Sequence, residues 1–71
     1  MNIVVNGKKS DMTDSLTVSG LLVQEDVKMP EMVSVELNGQ ILKRSEFETT
    51  KLNDDDQVEF LYYMGGGSVA N

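Results

Sequence analysis

The sequence predicts an α+β domain, a mixed sheet of four to five strands with one main helix lying across one face. Three observations predict it. Two Asn-Gly pairs, Asn6-Gly7 and Asn38-Gly39, each follow an apolar run of strand character, the signature of a hairpin closed by a two-residue type I′ turn. Between the hairpins, Val18, Leu21 and Leu22 stand at the i, i+3, i+4 spacing that lines one face of a helix. The last run, Val58 to Tyr63, carries apolar residues on both faces, as a strand in the middle of a sheet requires.

Taken in order, Ile3-Val4-Val5 is a β-branched run, and its return strand runs from Lys8 to Met12, with Met12 available to a core. Thr13-Asp14-Ser15 is turn-like and Thr17 is an N-cap for the helix that follows. Gln24, Glu25 and Asp26 fall outside the apolar stripe, Val27 closes it, and Pro30 stops the helix by Met29. Gly20, inside the helix, costs about 1 kcal/mol relative to alanine, so a close packing contact is expected there. Val33, Val35 and Leu37 alternate with Ser34 and Glu36 as in a half-buried strand, which turns at Asn38-Gly39 and returns through Ile41 and Leu42. Ser45-Glu46-Phe47-Glu48 has capping-box spacing and predicts a single helical turn with Phe47 inward. The acidic turn Asn53-Asp54-Asp55-Asp56 then leads into the last strand. Val58, Phe60 and Tyr62 are expected on one face of it, and Glu59, Leu61 and Tyr63 on the other. Hairpin, helix, hairpin, short turn and closing strand make the β-grasp arrangement, with the first and last strands parallel at the centre.

Composition excludes much chemistry. The chain has 71 residues, no cysteine and no histidine, so disulfides, the usual zinc sites and Ser/His or Cys/His nucleophiles are ruled out. No segment has the oxygen-ligand spacing of a calcium loop. A built-in active site is not expected. No stretch approaches the roughly 20 apolar residues that span a bilayer, and the start lacks the basic and apolar regions of a signal peptide. A soluble, cytoplasmic protein is therefore expected. The net charge of −6 disfavours nucleic acid and anionic membranes and favours a basic surface on a protein partner. Charge of this sign also serves solubility alone.

The domain is expected over residues 1–64, with a glycine tail and short extension over 65–71. Gly65-Gly66-Gly67 lacks Cβ atoms, so it is thin and can adopt φ values closed to other residues. Such a run can thread a narrow channel and leaves a terminal carbonyl unshielded. A frayed end or a linker has the same composition.

The chain resembles the ThiS-type sulfur carriers of thiamine biosynthesis, ubiquitin-like β-grasp proteins related to the MoaD-type molybdopterin carriers. The resemblance covers residues 1–67. It rests on Met1-Asn2-Ile3-Val4-Val5-Asn6-Gly7, on Thr17-Val18 with Leu21-Leu22, and on Val35-Glu36-Leu37-Asn38-Gly39. It continues through Arg44-Ser45-Glu46 and Leu52-Asn53-Asp54-Asp55-Asp56-Gln57-Val58-Glu59 before the glycines. It implies that an E1-like enzyme of the ThiF type uses ATP and magnesium to adenylate the carboxylate of Gly67. Persulfide sulfur then makes a glycyl thiocarboxylate, and a synthase such as thiazole synthase, of the ThiG type, receives it. Gly66 and Gly67 match the diglycine, and Gly65 an additional glycine of some members. The chain would bind no cofactor itself and would be a co-substrate, not an enzyme. Leu61, Tyr63 and Glu59 are the expected docking residues, with Asp54-Asp55-Asp56 as further acids facing a basic partner or as a solvated turn.

One feature departs from the resemblance. Thiamine-type members end at the diglycine, whereas here Ser68-Val69-Ala70-Asn71 follow. A peptidase would have to expose Gly67, as in related carriers that serve cysteine or methionine synthesis. Two further readings stay open: a non-carrier β-grasp module that binds through its sheet, and a ubiquitin-like modifier joined to target lysines.

Overall fold

The computed structural model describes residues 1–62. Its strands are β1 (Asn2–Val5), β2 (Lys8–Asp11), β3 (Val33–Leu37), β4 (Gln40–Ile41) and β5 (Gln57–Tyr62), with one α-helix, α1 (Val18–Gln24). They form one five-stranded sheet in the order β2-β1-β5-β3-β4. The last strand lies at the centre, parallel to β1 (Val5 beside Val58) and antiparallel to β3 (Val35 beside Phe60). This is the expected β-grasp arrangement, at the upper end of the strand count.

Both hairpins close as their sequences dictate. Asn6 and Gly7 have φ of 50° and 82°, and Asn38 and Gly39 have 51° and 86°, the paired positive values of a type I′ turn. The two asparagine side chains also do something local sequence does not show. Beyond Val5 strand β1 has ended, and Asn6 Oδ1 accepts the Phe60 N–H at 2.9 Å in place of the next rung. On the other side, Asn38 Oδ1 accepts the Gln57 N–H at 2.9 Å, and its own N–H donates to the Gln57 carbonyl. The turns thus hold the central strand from both flanks.

The core is Ile3, Val5, Val33, Val35, Val58 and Phe60 from the sheet against Val18, Leu21 and Leu22 from α1, closed by Met12, Phe47 and Leu52. A helix of seven residues is too short to persist alone, so packing and caps sustain it. Its first-turn N–H groups are all satisfied: Val18 donates to Thr50 O, Ser19 to Phe47 O, Gly20 to Thr17 Oγ1 at 3.1 Å and Leu21 to Thr17 O. Thr17 is the N-cap, as expected. The close contact at Gly20 is with Leu16, whose Cδ1 would lie 2.7 Å from a Cβ placed there.

Two boundaries differ from expectation. The helix ends at Gln24, and Asp26 and Met29 take positive φ, so Val27 reaches the core from a loop rather than from the helix. The turn near Phe47 begins earlier than Ser45-Glu46-Phe47-Glu48 implied. It is a 3₁₀ turn, Arg44–Glu46, in which Glu46 Oε1 accepts the Lys43 N–H at 3.0 Å. Glu46 rather than Glu48 is the capping acid, because the capping box starts at Lys43, two residues before Ser45. Phe47 is inward as expected.

Arg44 ties this turn to the loop before β3. Its guanidinium donates to the carbonyls of Pro30, Glu31 and Val33 at 3.0, 3.0 and 2.8 Å and lies 5.5 Å from the centre of the Phe47 ring. The Met1 amino group is held similarly, donating to Met12 O at 2.8 Å and to Asp14 Oδ1 at 3.3 Å, with Asp11 at 3.6 Å. The Asp14 hydrogen bond, helped by the charges of Asp14 and Asp11 and opposed by desolvation, raises its pKa above the usual 8.0.

Two outcomes follow from these contacts. Asn6→Ala leaves the Phe60 N–H unpaired in a partly buried site and is expected to lower stability by about 2 kcal/mol in urea unfolding, whereas Asn6→Asp, which keeps the acceptor, costs less. The raised amine contributes stability that is complete below pH 8.0 and is lost as pH rises through its folded-state value. Stability should therefore fall above pH 8 more steeply in the chain with a free amino group than in its N-acetylated form, with urea midpoints as the measure.

Candidate functional site

Alternation along β5 sends Val58 and Phe60 into the core and leaves Glu59 and Leu61 on the face of the sheet away from α1. Leu61 is 40% exposed, which removes ordinary sheet burial as the explanation for its apolar character. Tyr63, the diglycine Gly66-Gly67, Gly65, and residues 68–71 lie outside the described residues. Strand β5 delivers the chain to them from the centre of the sheet, with Tyr62 paired to Val33 at the edge of what is described.

Cross-strand register shows what surrounds Glu59 and Leu61. Glu59 stands directly opposite Glu36, Leu61 opposite Ser34, and Ile41 opposite Glu36 on its other side. Ile41 is 58% exposed. The face therefore combines two exposed aliphatic side chains with two adjacent carboxylates. Neither Glu36 nor Glu59 has an ion-pair partner among the described residues. Like charges directly opposite each other on neighbouring strands cost stability. A cationic group on a docking protein would reverse that cost, and desolvated Leu61 and Ile41 would supply the apolar contact.

Glu36 and Ile41 were not among the residues expected here. The signal was present: a two-residue turn at Asn38-Gly39 makes Leu37 face Gln40 and Glu36 face Ile41, so the outward parity of Glu36 fixes that of Ile41. The aspartates prove to be turn-builders. Asp54 Oδ1 accepts the Asn2 N–H at 2.7 Å, Asp56 Oδ2 accepts the Asn53 N–H at 2.8 Å, and Asp56 Oδ1 accepts from Asn38 Nδ2 at 3.0 Å. Asp55 adopts the φ of 71° that reverses the chain.

Among the described residues no cluster of acidic, histidine or cysteine side chains is arranged to hold a metal ion. Among the described residues no buried side-chain polar atom lacks a partner, and none of the buried residues is polar or charged. Among the described residues no helix is long and apolar enough to cross a membrane. What the geometry offers is an exposed sheet face that sets two aliphatic side chains beside two carboxylates, on the strand that precedes the glycines in sequence.

A mixed sheet closed by a central last strand that carries a diglycine tail defines the ubiquitin-like β-grasp carriers. The ThiS family model matches residues 3–67, and the chain belongs to that family, the ThiS-type sulfur carriers. A crystal structure of the thiamine biosynthesis protein ThiS from Geobacter metallireducens superimposes with a TM-score of 0.86 at 51% identity, covering 94% of this chain and all of that one. A thiazole synthase of Paramagnetospirillum magneticum is 35% identical over 68 residues, and one of Magnetococcus marinus 34% over 67. These matches take in 96% and 94% of this chain but only 21% and 20% of the relatives, so the chain spans about a fifth of their length. A Porphyra purpurea protein designated ycf40 is 31% identical over 93% of its own length.

The Glu36–Glu59 pair yields a direct expectation. Glu59→Gln should raise stability by about 0.5 kcal/mol at low ionic strength. The gain should shrink as salt screens the repulsion, as read from urea unfolding at both salt concentrations.

Proposed function

We propose that the chain is a sulfur carrier of thiamine biosynthesis that works through a C-terminal thiocarboxylate on Gly67. The observation that carries this reading is the extent of the family match, which runs through β5 and the glycines and stops at residue 67, four residues short of the last one. The names of the relatives support the destination: a thiamine biosynthesis protein shares the fold, and thiazole synthases contain a stretch similar to nearly all of this chain.

In this reading the chemistry belongs to the partners. A carboxylate is a poor electrophile because its oxygen is a poor leaving group. An E1-like enzyme of the ThiF type, using ATP and magnesium, lets the Gly67 carboxylate attack the α-phosphorus, expelling pyrophosphate and leaving an acyl adenylate. A persulfide sulfur attacks the acyl carbon, AMP departs, and cleavage of the S–S bond by a thiol leaves the thiocarboxylate. The sulfur then passes to thiazole synthase. The carrier is a co-substrate: Glu59, Leu61 and Tyr63, with Glu36 and Ile41, dock the partner, and Gly65, Gly66 and Gly67 enter its channel without side chains to obstruct them.

In this sequence Gly67 is followed by Ser68, so its carbonyl is part of an amide and cannot be adenylated. Removal of residues 68–71 by a peptidase precedes activation. That step is shared with carriers for cysteine or methionine synthesis, and the extension is the one feature that favours such an acceptor. The chain ending at Gly67 should support ATP–pyrophosphate exchange with its activating enzyme. The 71-residue chain and a chain ending at Gly66 should not. Equal activity of all three, or none in any, would contradict the carrier reading.

A further inference from the structure

Two of the five asparagines, Asn6 and Asn38, are followed by glycine, and both pairs form the tips of type I′ hairpin turns. Asparagine is chemically labile, most of all before glycine, where no side chain shields the next backbone nitrogen. That nitrogen attacks Cγ of the asparagine, the Cγ–Nδ2 bond breaks, and ammonia leaves with the proton the nitrogen gives up. Water then opens the succinimide. Cleavage at Cγ yields aspartate, and cleavage at the main-chain carbonyl yields isoaspartate, with an extra carbon in the backbone.

The two sites are alike in sequence and unlike in the fold. Open space surrounds both tips, since a Cβ on Gly7 or Gly39 would meet nothing within 4 Å. What separates them is the contact that must break before the carboxamide can turn toward the next nitrogen. Asn6 Oδ1 accepts the Phe60 N–H, a partly buried bond to the middle of β5, and its hairpin is a ladder of four residue pairs. Asn38 is held at the surface, with Oδ1 accepting the Gln57 N–H at 2.9 Å and Nδ2 donating to Asp56 Oδ1 at 3.0 Å, both exposed. Its return strand, β4, supplies only two pairs. Exposed bonds in a short hairpin open readily, whereas a rung of the central strand opens with that strand.

The products differ as well. Aspartate at position 6 keeps an acceptor for the Phe60 N–H. At position 38 the lost Nδ2 is the donor to Asp56, and a carboxylate oxygen replaces it against another carboxylate. Asp56 is not free to turn away, because its Oδ2 accepts the Asn53 N–H at 2.8 Å.

We propose that Asn38 is a site of self-modification, where attack by the Gly39 nitrogen replaces the carboxamide with an acid that unlatches the entry to β5 from Asp56. Aged chains then carry one more negative charge beside Asp54-Asp55-Asp56 and a looser start to the central strand. None of this depends on the carrier reading.

The test uses the 71-residue chain at mildly alkaline pH, with and without denaturing urea. Mass spectrometry of the two Asn-Gly peptides follows the exchange of NH2 for OH. In the folded chain Asn38 should convert faster than Asn6 by at least about fivefold, the ratio set by one net hydrogen bond of difference in opening. In urea the two should convert at similar rates. Asn38→Asp should lower the urea midpoint more than Asn6→Asp does. Adding Asp56→Asn to Asn38→Asp should recover most of that loss, by restoring a donor across the gap. Equal rates in the folded chain, faster conversion at Asn6, no conversion at Asn38 where urea permits it, or a loss that Asp56→Asn does not relieve would each overturn the proposal.

Discussion

The structure depends on the last strand being inserted at the centre of the sheet. Among the described strands β5 is the one bonded to both hairpins: its parallel pairing with β1 and its antiparallel pairing with β3 join the two hairpins into one sheet. Each pairing is short on the β1 side, where Val5 is the last residue of the strand, and there Asn6 extends it with a side-chain acceptor for Phe60. Asn38 does the same for Gln57 on the other flank. A central strand cannot open without breaking both ladders, so whatever follows Tyr62 is launched from the part of the domain hardest to move.

That placement also separates what is inert from what is reactive. One face of β5 is consumed by the core, through Val58 and Phe60. The other lies outside the core and carries Glu59 and Leu61, joined by Glu36 and Ile41 from the neighbouring strands. The facing carboxylates carry a small penalty in the free protein that a basic partner would convert into affinity and, at a distance, into steering.

How much of this was legible depended on the range of the interaction. The type I′ turns, the Thr17 cap and the Val18-Leu21-Leu22 stripe are set by residues a few positions apart, and the sequence shows them. The centrality of β5 followed from its two apolar faces. The second role of Asn6 did not, because its partner Phe60 is 54 residues away and a turn asparagine carries no mark of a side-chain rung. Arg44 read as part of a turn, yet it fastens three carbonyls of a distant loop. The capping-box spacing held but two residues earlier than Ser45-Glu46-Phe47-Glu48, with Lys43 at the N-cap and Glu46 as the acid, and lysine is not a residue that marks an N-cap in sequence. Ile41 was legible through hairpin register: the return through Ile41 and Leu42 was expected, but its outward face beside Glu36 was not drawn from it.

The central claim is that β5 is a fixed platform for the glycine tail. Native-state hydrogen exchange of the Glu59, Phe60 and Leu61 amides tests it most directly. The account predicts that these amides exchange only through global unfolding, with opening free energies equal to that from urea denaturation. Exchange of the same amides through a local opening well below the global value, while β1 and β3 stay protected, would contradict it.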